Sequence, residues 1–177
     1  MPEQLIATLR TDLGDIAVEL LPEHAPVTVR NFVELARGER EWIHPATGRR
    51  CRDRLYDGTV FHQVIDGFMI QGGDPLGNGM GNPGYEFDDE IHPDLGFDRP
   101  YVMAMANAGP NTNGCQFFLT VAPAAWLTGR RPIFGRVDDA ASQKVVDAIA
   151  EVPTNPRTDR PLRDVVLHTV EVEQRTG

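Results

Sequence analysis

Two segments gather most of the side chains that could do chemistry: Phe61-His62-Gln63-Val64-Ile65-Asp66-Gly67-Phe68-Met69-Ile70-Gln71-Gly72-Gly73-Asp74 and Met105-Ala106-Asn107-Ala108-Gly109-Pro110-Asn111-Thr112-Asn113-Gly114-Cys115-Gln116-Phe117-Phe118. His62 invites a general-base role, because an imidazole titrates near neutral pH. The run from Gly72 to Gly81 imitates a phosphate loop. It lacks the lysine and the following helix signal that such loops need, so it reads as a turn-rich rim. His24, His44, His92 and His168 are scattered without ligand spacing, and no metal or other cofactor is expected. Cys51 and Cys115 have no paired spacing, which suggests neither a disulfide framework nor a thiolate metal site.

Short elements must position these segments. Apolar and polar residues alternate from Leu5 to Thr11 and from Ile16 to Leu20, with a turn at Asp12-Leu13-Gly14-Asp15, which predicts a β-hairpin. Pro26 opens a helix whose Val29, Phe32, Val33 and Ala36 recur at helical spacing, and Gly38 is placed to end it. Strands are predicted at Thr59–Gln63, Phe68–Gln71, Tyr101–Ala106, Gln116–Val121 and Ile133–Val137. A second amphipathic helix is predicted over Ala140–Glu151, with Val145, Val146 and Ile149 as its apolar face, and a closing strand over Val165–Val172. Many short strands, two helices, 17 glycines and 14 prolines point to an antiparallel barrel or sandwich, and the pattern does not choose between them.

The 177 residues, 41% apolar, fit one domain with a sizeable core. A net charge of -9 argues against general affinity for nucleic acid or anionic membranes. No apolar run approaches the ~18 residues of a membrane helix. The opening Met-Pro-Glu-Gln-Leu-Ile does not resemble a secretory leader, so a reducing cytoplasm is the expected compartment. Residues 39–54 contain Trp42, Pro45, Gly48 and five arginines (40, 49, 50, 52 and 54), and read as an expanded surface loop after the first helix. Its basic residues either dock an acidic partner or offset an acidic body as a solvated face; the second reading is preferred.

The two quoted segments closely resemble the signature segments of the cyclophilins, peptidyl-prolyl cis-trans isomerases that also bind cyclosporin. The resemblance spans nearly the whole chain. It implies a mainly β fold: a closed eight-stranded antiparallel barrel capped by two α-helices, in a single domain over 1–177. It also implies the reaction. Rotation about an amide C–N bond faces a barrier of ~18–20 kcal/mol, and X–Pro bonds interconvert only over tens to hundreds of seconds. A catalyst needs no nucleophile or metal. It must hold the proline ring, pin the flanking peptide and aim a donor at the nitrogen that turns pyramidal in the transition state. No proton leaves, so His62 is expected to be structural and hydrogen-bonded.

By this resemblance Phe68, Met69, Phe118 and Leu127 line the proline pocket. Gln71 and Gln116 lie near the substrate backbone, while Ala106 and Asn107 belong to the segment whose main chain pairs with the peptide. Trp126 is the tryptophan that usually accompanies cyclosporin binding, and Phe117 is ordinary core. Met80 and Asn82 stand where relatives carry smaller residues near a secondary pocket.

Two positions depart from the family. Gln63 replaces the arginine of Phe-His-Arg, and Arg131 replaces a histidine common in another pocket segment. Glutamine is neutral, shorter and lacks the guanidinium fork. A rate loss on the order of 10²–10³ is expected if nothing compensates. Arg131 either reaches across to the proline nitrogen as a relocated donor or points to solvent. Expected partners are proline-containing peptides or unfolded proteins and cyclosporin-like macrocycles, bound by a monomer. The alternatives are a non-catalytic proline-peptide binding module and a scaffold recruited to bind or transform a non-peptide small molecule.

Overall fold

Alternation builds the first two strands as expected. In the computed structural model, which describes residues 3–176, β1 (Glu3–Thr11) and β2 (Gly14–Leu20) pair antiparallel through Asp12-Leu13. The single-domain span 1–177 also takes in Met1, Pro2 and Gly177, which lie outside the described residues. Ala7, Leu9, Ile16, Val18 and Leu20 point inward and are buried. The helix α1 (Pro26–Arg37) starts at a proline whose missing N–H is one of the unpaired donors of a first turn. Its remaining donors are met from afar: Glu90 accepts from Val27 N at 3.1 Å and from Thr28 N at 2.6 Å. A carboxylate here also suits the positive end of the helix dipole. The helix stops at Gly38, whose N–H bonds back to Glu34 O, and it buries Val29, Phe32, Leu35 and Ala36.

Residues 39–54 contain a small two-stranded sheet, β3 (Trp42–Ile43) with β4 (Arg50–Cys51). Trp42 is buried and its Nε1 donates to Asp53 O at 2.9 Å. Arg54 donates to Ala36 O and Val170 O, so the segment is fastened at its root as well.

The predicted strand Thr59–Gln63 is in fact two, β5 (Thr59–Val60) and β6 (Gln63–Ile65), separated by Phe61 and His62. Then come β7 (Met69–Gly72), β8 (Val102–Met105), β9 (Phe117–Thr120), β10 (Ile133–Arg136), α2 (Ala140–Ala150) and β11 (Val166–Thr176). Asp139 caps α2 by accepting from Ser142 N at 2.8 Å. The main sheet is antiparallel throughout, in the order β5-β11-β1-β2-β10-β8-β9-β7-β6. Its two edge strands, β5 and β6, are consecutive in the chain, so the sheet curls until its ends are two residues apart. Among the described residues the main sheet therefore has nine strands where eight were expected. The extra one arises because the Phe61-His62 break divides a single strand.

Curling gives the sheet an inner and an outer face. The inner face, with α1 and α2, forms the main core, in which Phe32, Tyr56, Phe61, Phe117 and Phe134 are buried. A second apolar cluster lies on the outer face: Met69, Val102, Ala104, Phe118 and Ile133, joined by Leu21, Phe97 and Ala124.

Candidate functional site

Residues directly opposite each other in an antiparallel ladder share a face. The register sets Gln63 against Gln71, Gln71 against Phe118, Phe118 against Ala104, and Ala104 against Ile133. One row across the outer face thus passes from two glutamines to an apolar patch. Met69 and Phe118 are nearly buried there, and half-buried Phe68, Ala106 and Leu127 pack at its margin. Phe97 stacks on Phe118 with ring centroids 5.9 Å apart, and it is held by Thr128 Oγ1, which accepts from Phe97 N at 2.9 Å. Phe97 was not foreseen. Its only signal was an aromatic residue in an otherwise polar stretch. Trp126, 64% exposed in the short helical turn Ala125–Leu127, lies 5.6 Å from the Phe68 ring.

Beside this patch runs a groove of about 660 Å³. One wall comes from Gly79–Asn82 and Gly84–Glu86, the other from Ala106–Ala108 with Thr112 and Gly114–Gln116, and Gln71 joins them. The two walls are tied by side chains. Gln71 Nε2 donates to Gln116 Oε1 at 3.2 Å, and Gln116 Nε2 donates to Gly79 O at 3.1 Å and Gly81 O at 3.0 Å. Asn107 donates to Asn113 Oδ1 at 3.0 Å, and Asn113 donates on to Phe87 O and Asp89 Oδ1.

The turn-rich rim owes its shape to Asp74, which is completely buried and accepts from the backbone N–H of Leu76, Asn78, Gly79 and Gly81. At Gly81 a Cβ would lie 1.8 Å from Asp74 Oδ1, so only glycine lets the chain pass. Arg160 adds a bond to Gly77 O. The part played by Asp74 was also missed, since in sequence an aspartate among glycines looks like any other turn residue.

Gln71, Met80, Ala106, Asn107 and Gln116 therefore come together around the groove, whereas Phe68, Met69, Phe118, Trp126 and Leu127 gather at the apolar patch. Gln63, half-buried, joins the two through its pairing with Gln71. Arg131 is half-buried, and its Nη1 donates to Arg130 O at 3.1 Å, a bond within its own loop. A hydrogen-bonded His62 was expected; the residue is buried, but its Nδ1 has no hydrogen-bond partner among the described residues. Burial pushes its pKa down, against the pull of the nearby Asp74 carboxylate. Burial likewise raises the Cys115 thiol well above its ordinary range, which leaves it un-ionised behind the groove. Among the described residues no group of three or more His, Cys, Asp or Glu is arranged to hold a metal, and no helix is long and apolar enough to cross a membrane.

The family model described as cyclophilin type peptidyl-prolyl cis-trans isomerase/CLD matches residues 6–172. The chain belongs to the cyclophilin family. It is 70% identical to peptidyl-prolyl cis-trans isomerase B of Streptomyces anulatus over 175 residues, covering 99% of this chain and 100% of that protein. To peptidyl-prolyl cis-trans isomerase A of Mycobacterium tuberculosis it is 52% identical, covering 94% of this chain and 91% of the relative. Its fold is similar to a crystal structure of a Cryptosporidium parvum cyclophilin type peptidyl-prolyl cis-trans isomerase, with a TM-score of 0.83 and 31% identity over 99% of this chain and 100% of that one. A crystal structure of that isomerase in the presence of the dipeptide Ala-Pro matches at a TM-score of 0.81 and 32% identity, over 95% of this chain and 98% of the other.

Proposed function

We propose that this chain accelerates cis–trans rotation of X–Pro bonds in protein segments, at a rate reduced by the glutamine at position 63. The observation that carries this reading is the single outer-face row in which Gln63 and Gln71 adjoin the apolar patch around Phe118. The proline ring sits against Phe68, Met69, Phe118 and Leu127, whose aromatic, thioether and branched groups make an apolar bed. The peptide on either side lies along Ala106 and Asn107 and beneath Gln71 and Gln116. Met80 and the wall beside it receive a flanking side chain.

The donor aimed at the proline nitrogen is the weak part. Gln63 can donate without charge, and Arg131, whose Nη1 donates to Arg130 O, would have to give up that bond to serve as a relocated donor. Both are assigned as the catalytic pair, with Phe68, Gln71 and Asn107 around them. The span 1–177 acts as one domain with 39–54 as its expanded surface loop. It works as a monomer in the cytoplasm, in keeping with the two free cysteines. Exposed Trp126 beside Phe68 supports binding of cyclosporin-like macrocycles as well as peptides.

Exchange spectra of an X–Pro peptide with the purified protein and two variants test the reading. The unaltered chain should accelerate exchange, and Gln63→Arg should raise the rate by about 10²–10³. If Arg131→Ala abolishes turnover while Gln63→Ala changes little, the donor has moved to Arg131. If peptides bind but only Gln63→Arg turns them over, the chain is a binding module. If none binds, the scaffold serves a different ligand.

A further inference from the structure

The groove wall Asn82–Glu86 does not stand by itself. Behind it lies the β3–β4 hairpin, which the proposed reaction leaves unused. Ile43 N donates to Pro83 O at 2.9 Å. The Ile43 side chain presses on Gly84 so closely that a Cβ there would lie 2.8 Å from Ile43 Cβ and 3.1 Å from both Cγ1 and Cδ1. Gly84 also has φ of 91°, so neither space nor backbone admits a side chain. Two residues before the hairpin, the Arg40 guanidinium lies 4.4 Å over the Tyr85 ring and 3.7 Å from Glu34 of α1. The Tyr85 hydroxyl donates to Asn31 Oδ1, and Asn31 Nδ2 donates to Gly114 O at 2.9 Å, on the opposite wall.

The hairpin is itself fixed to the barrel. Trp42 is 3% exposed within the main core, and its Nε1 bond to Asp53 O closes the root of the hairpin. Its neighbour Ile43, turned the other way along the strand, is 36% exposed and touches the wall. One end of a two-residue strand is thus a core anchor and the other a buttress. Wall spacing then follows from three connected contacts: Ile43 on Pro83 and Gly84, Arg40 on Tyr85, and Tyr85 through Asn31 to Gly114.

From these contacts we infer that the β3–β4 hairpin is a positioning element for the groove, with Ile43 and Arg40 setting how far Asn82–Glu86 stands from Ala106–Gln116 and hence which side chain flanking the proline is accepted. This rests on the isomerase reading above. Ile43 and Arg40 act through the wall and are positioning residues. The occupant is a proline peptide, and the selectivity is for the size of a neighbouring side chain, because a packed wall discriminates by shape.

The test uses the full chain, Ile43→Ala, Ile43→Val and Arg40→Ala. The probes are X–Pro peptides with alanine or phenylalanine at each position within two residues of the proline. Titration gives affinities, and exchange spectra at saturation give the rate. Ile43→Ala should change the ratio of bulky to small peptide affinity by about 3–10-fold, while the saturated rate on the alanine peptide stays constant. Ile43→Val should restore the ratio, and Arg40→Ala should move it in the same direction by less. A variant ratio equal to that of the unaltered chain, or a uniform loss of affinity for every peptide, overturns the positioning role and leaves the isomerase reading intact. If the unaltered chain binds no peptide, both fall together.

Discussion

Phe117 and Phe118 are neighbours on β9, yet they serve different regions. Phe117 points inward, completely buried, with the rings of Tyr56, Phe32 and Phe61 at 5.6, 5.8 and 6.3 Å. Phe118 points outward, 4% exposed, against Phe97 and a cluster whose edge is formed by half-buried Phe68 and Leu127. The inner cluster is closed by two helices, whereas the outer one is covered only by loops and ends in exposed Trp126. Both bury apolar surface, but only the outer one keeps an open margin where a further apolar ring can lie. The strand period of two allows this: one segment builds a core and a binding surface on alternate residues.

The sharpest way to break this contrast is to truncate each ring. Phe117→Ala should cost about 3–5 kcal/mol of stability, since the aromatic layer around it cannot collapse into the void. Phe118→Ala should cost less stability and instead weaken X–Pro peptide binding, because its outer neighbours are loops that can settle. Chemical denaturation and peptide titration of both variants decide it. Equal losses of stability with equal peptide affinities would mean that the outer cluster is only a second core.

Asp74 extends the comparison to the rim. The inner core holds by packing, but the rim holds by a buried carboxylate with four backbone donors and no apolar layer. The Asp74→Asn substitution keeps the shape and turns one acceptor into a donor that faces N–H groups. We expect a loss of about 2–4 kcal/mol. A drop in peptide affinity should accompany it, because Gln116 is tied to Gly79 O and Gly81 O. Denaturation and titration of this variant measure both. Unchanged affinity would show that the groove does not depend on the rim.

The inner region was the more legible of the two. Alternation along Leu5–Thr11 and Ile16–Leu20, and helical spacing at Val29, Phe32 and Ala36, report burial directly, because burial is what sets the period. The outer site was legible only through family resemblance: Gln63, Gln71, Met69 and Phe118 share a face by register, and register is not written in any one segment. Phe97 and Asp74 escaped notice because their partners, Phe118 and four backbone amides, meet them only after the chain closes. The strand break at Phe61-His62 was hidden for a similar reason. Both halves carry strand-forming residues, and the edge pairing that ends each half comes from β11 and β7. The hairpin around Trp42 read as a loop because two-residue strands are too short to show a period.

His62 sits at that break, where the inner region passes into the outer one, and it gives the smallest effect. Burial holds its pKa below the ordinary 6.5, and outweighs the opposing pull of the Asp74 carboxylate and of Val60 and Gln116 beside it. Above pH 6.5 the imidazole is neutral in folded and unfolded chains alike, so it adds no pH dependence. As pH falls through 6.5 the unfolded chain takes up a proton that the folded chain refuses, and stability declines by at most about 1.4 kcal/mol per pH unit. The decline ends once pH passes the lower, folded value. Asp12 is separate: its carboxyl is held low by a backbone N–H and by His168, and its contribution is lost only as pH drops below 3.8. Denaturation of the unaltered chain and of His62→Gln between pH 5 and 8 isolates the histidine, and their difference should be flat above about pH 7 and slope below 6.5. Parallel curves would mean that the break admits water and that His62 is protonated as readily folded as unfolded, which would place it with the open outer region and not with the core.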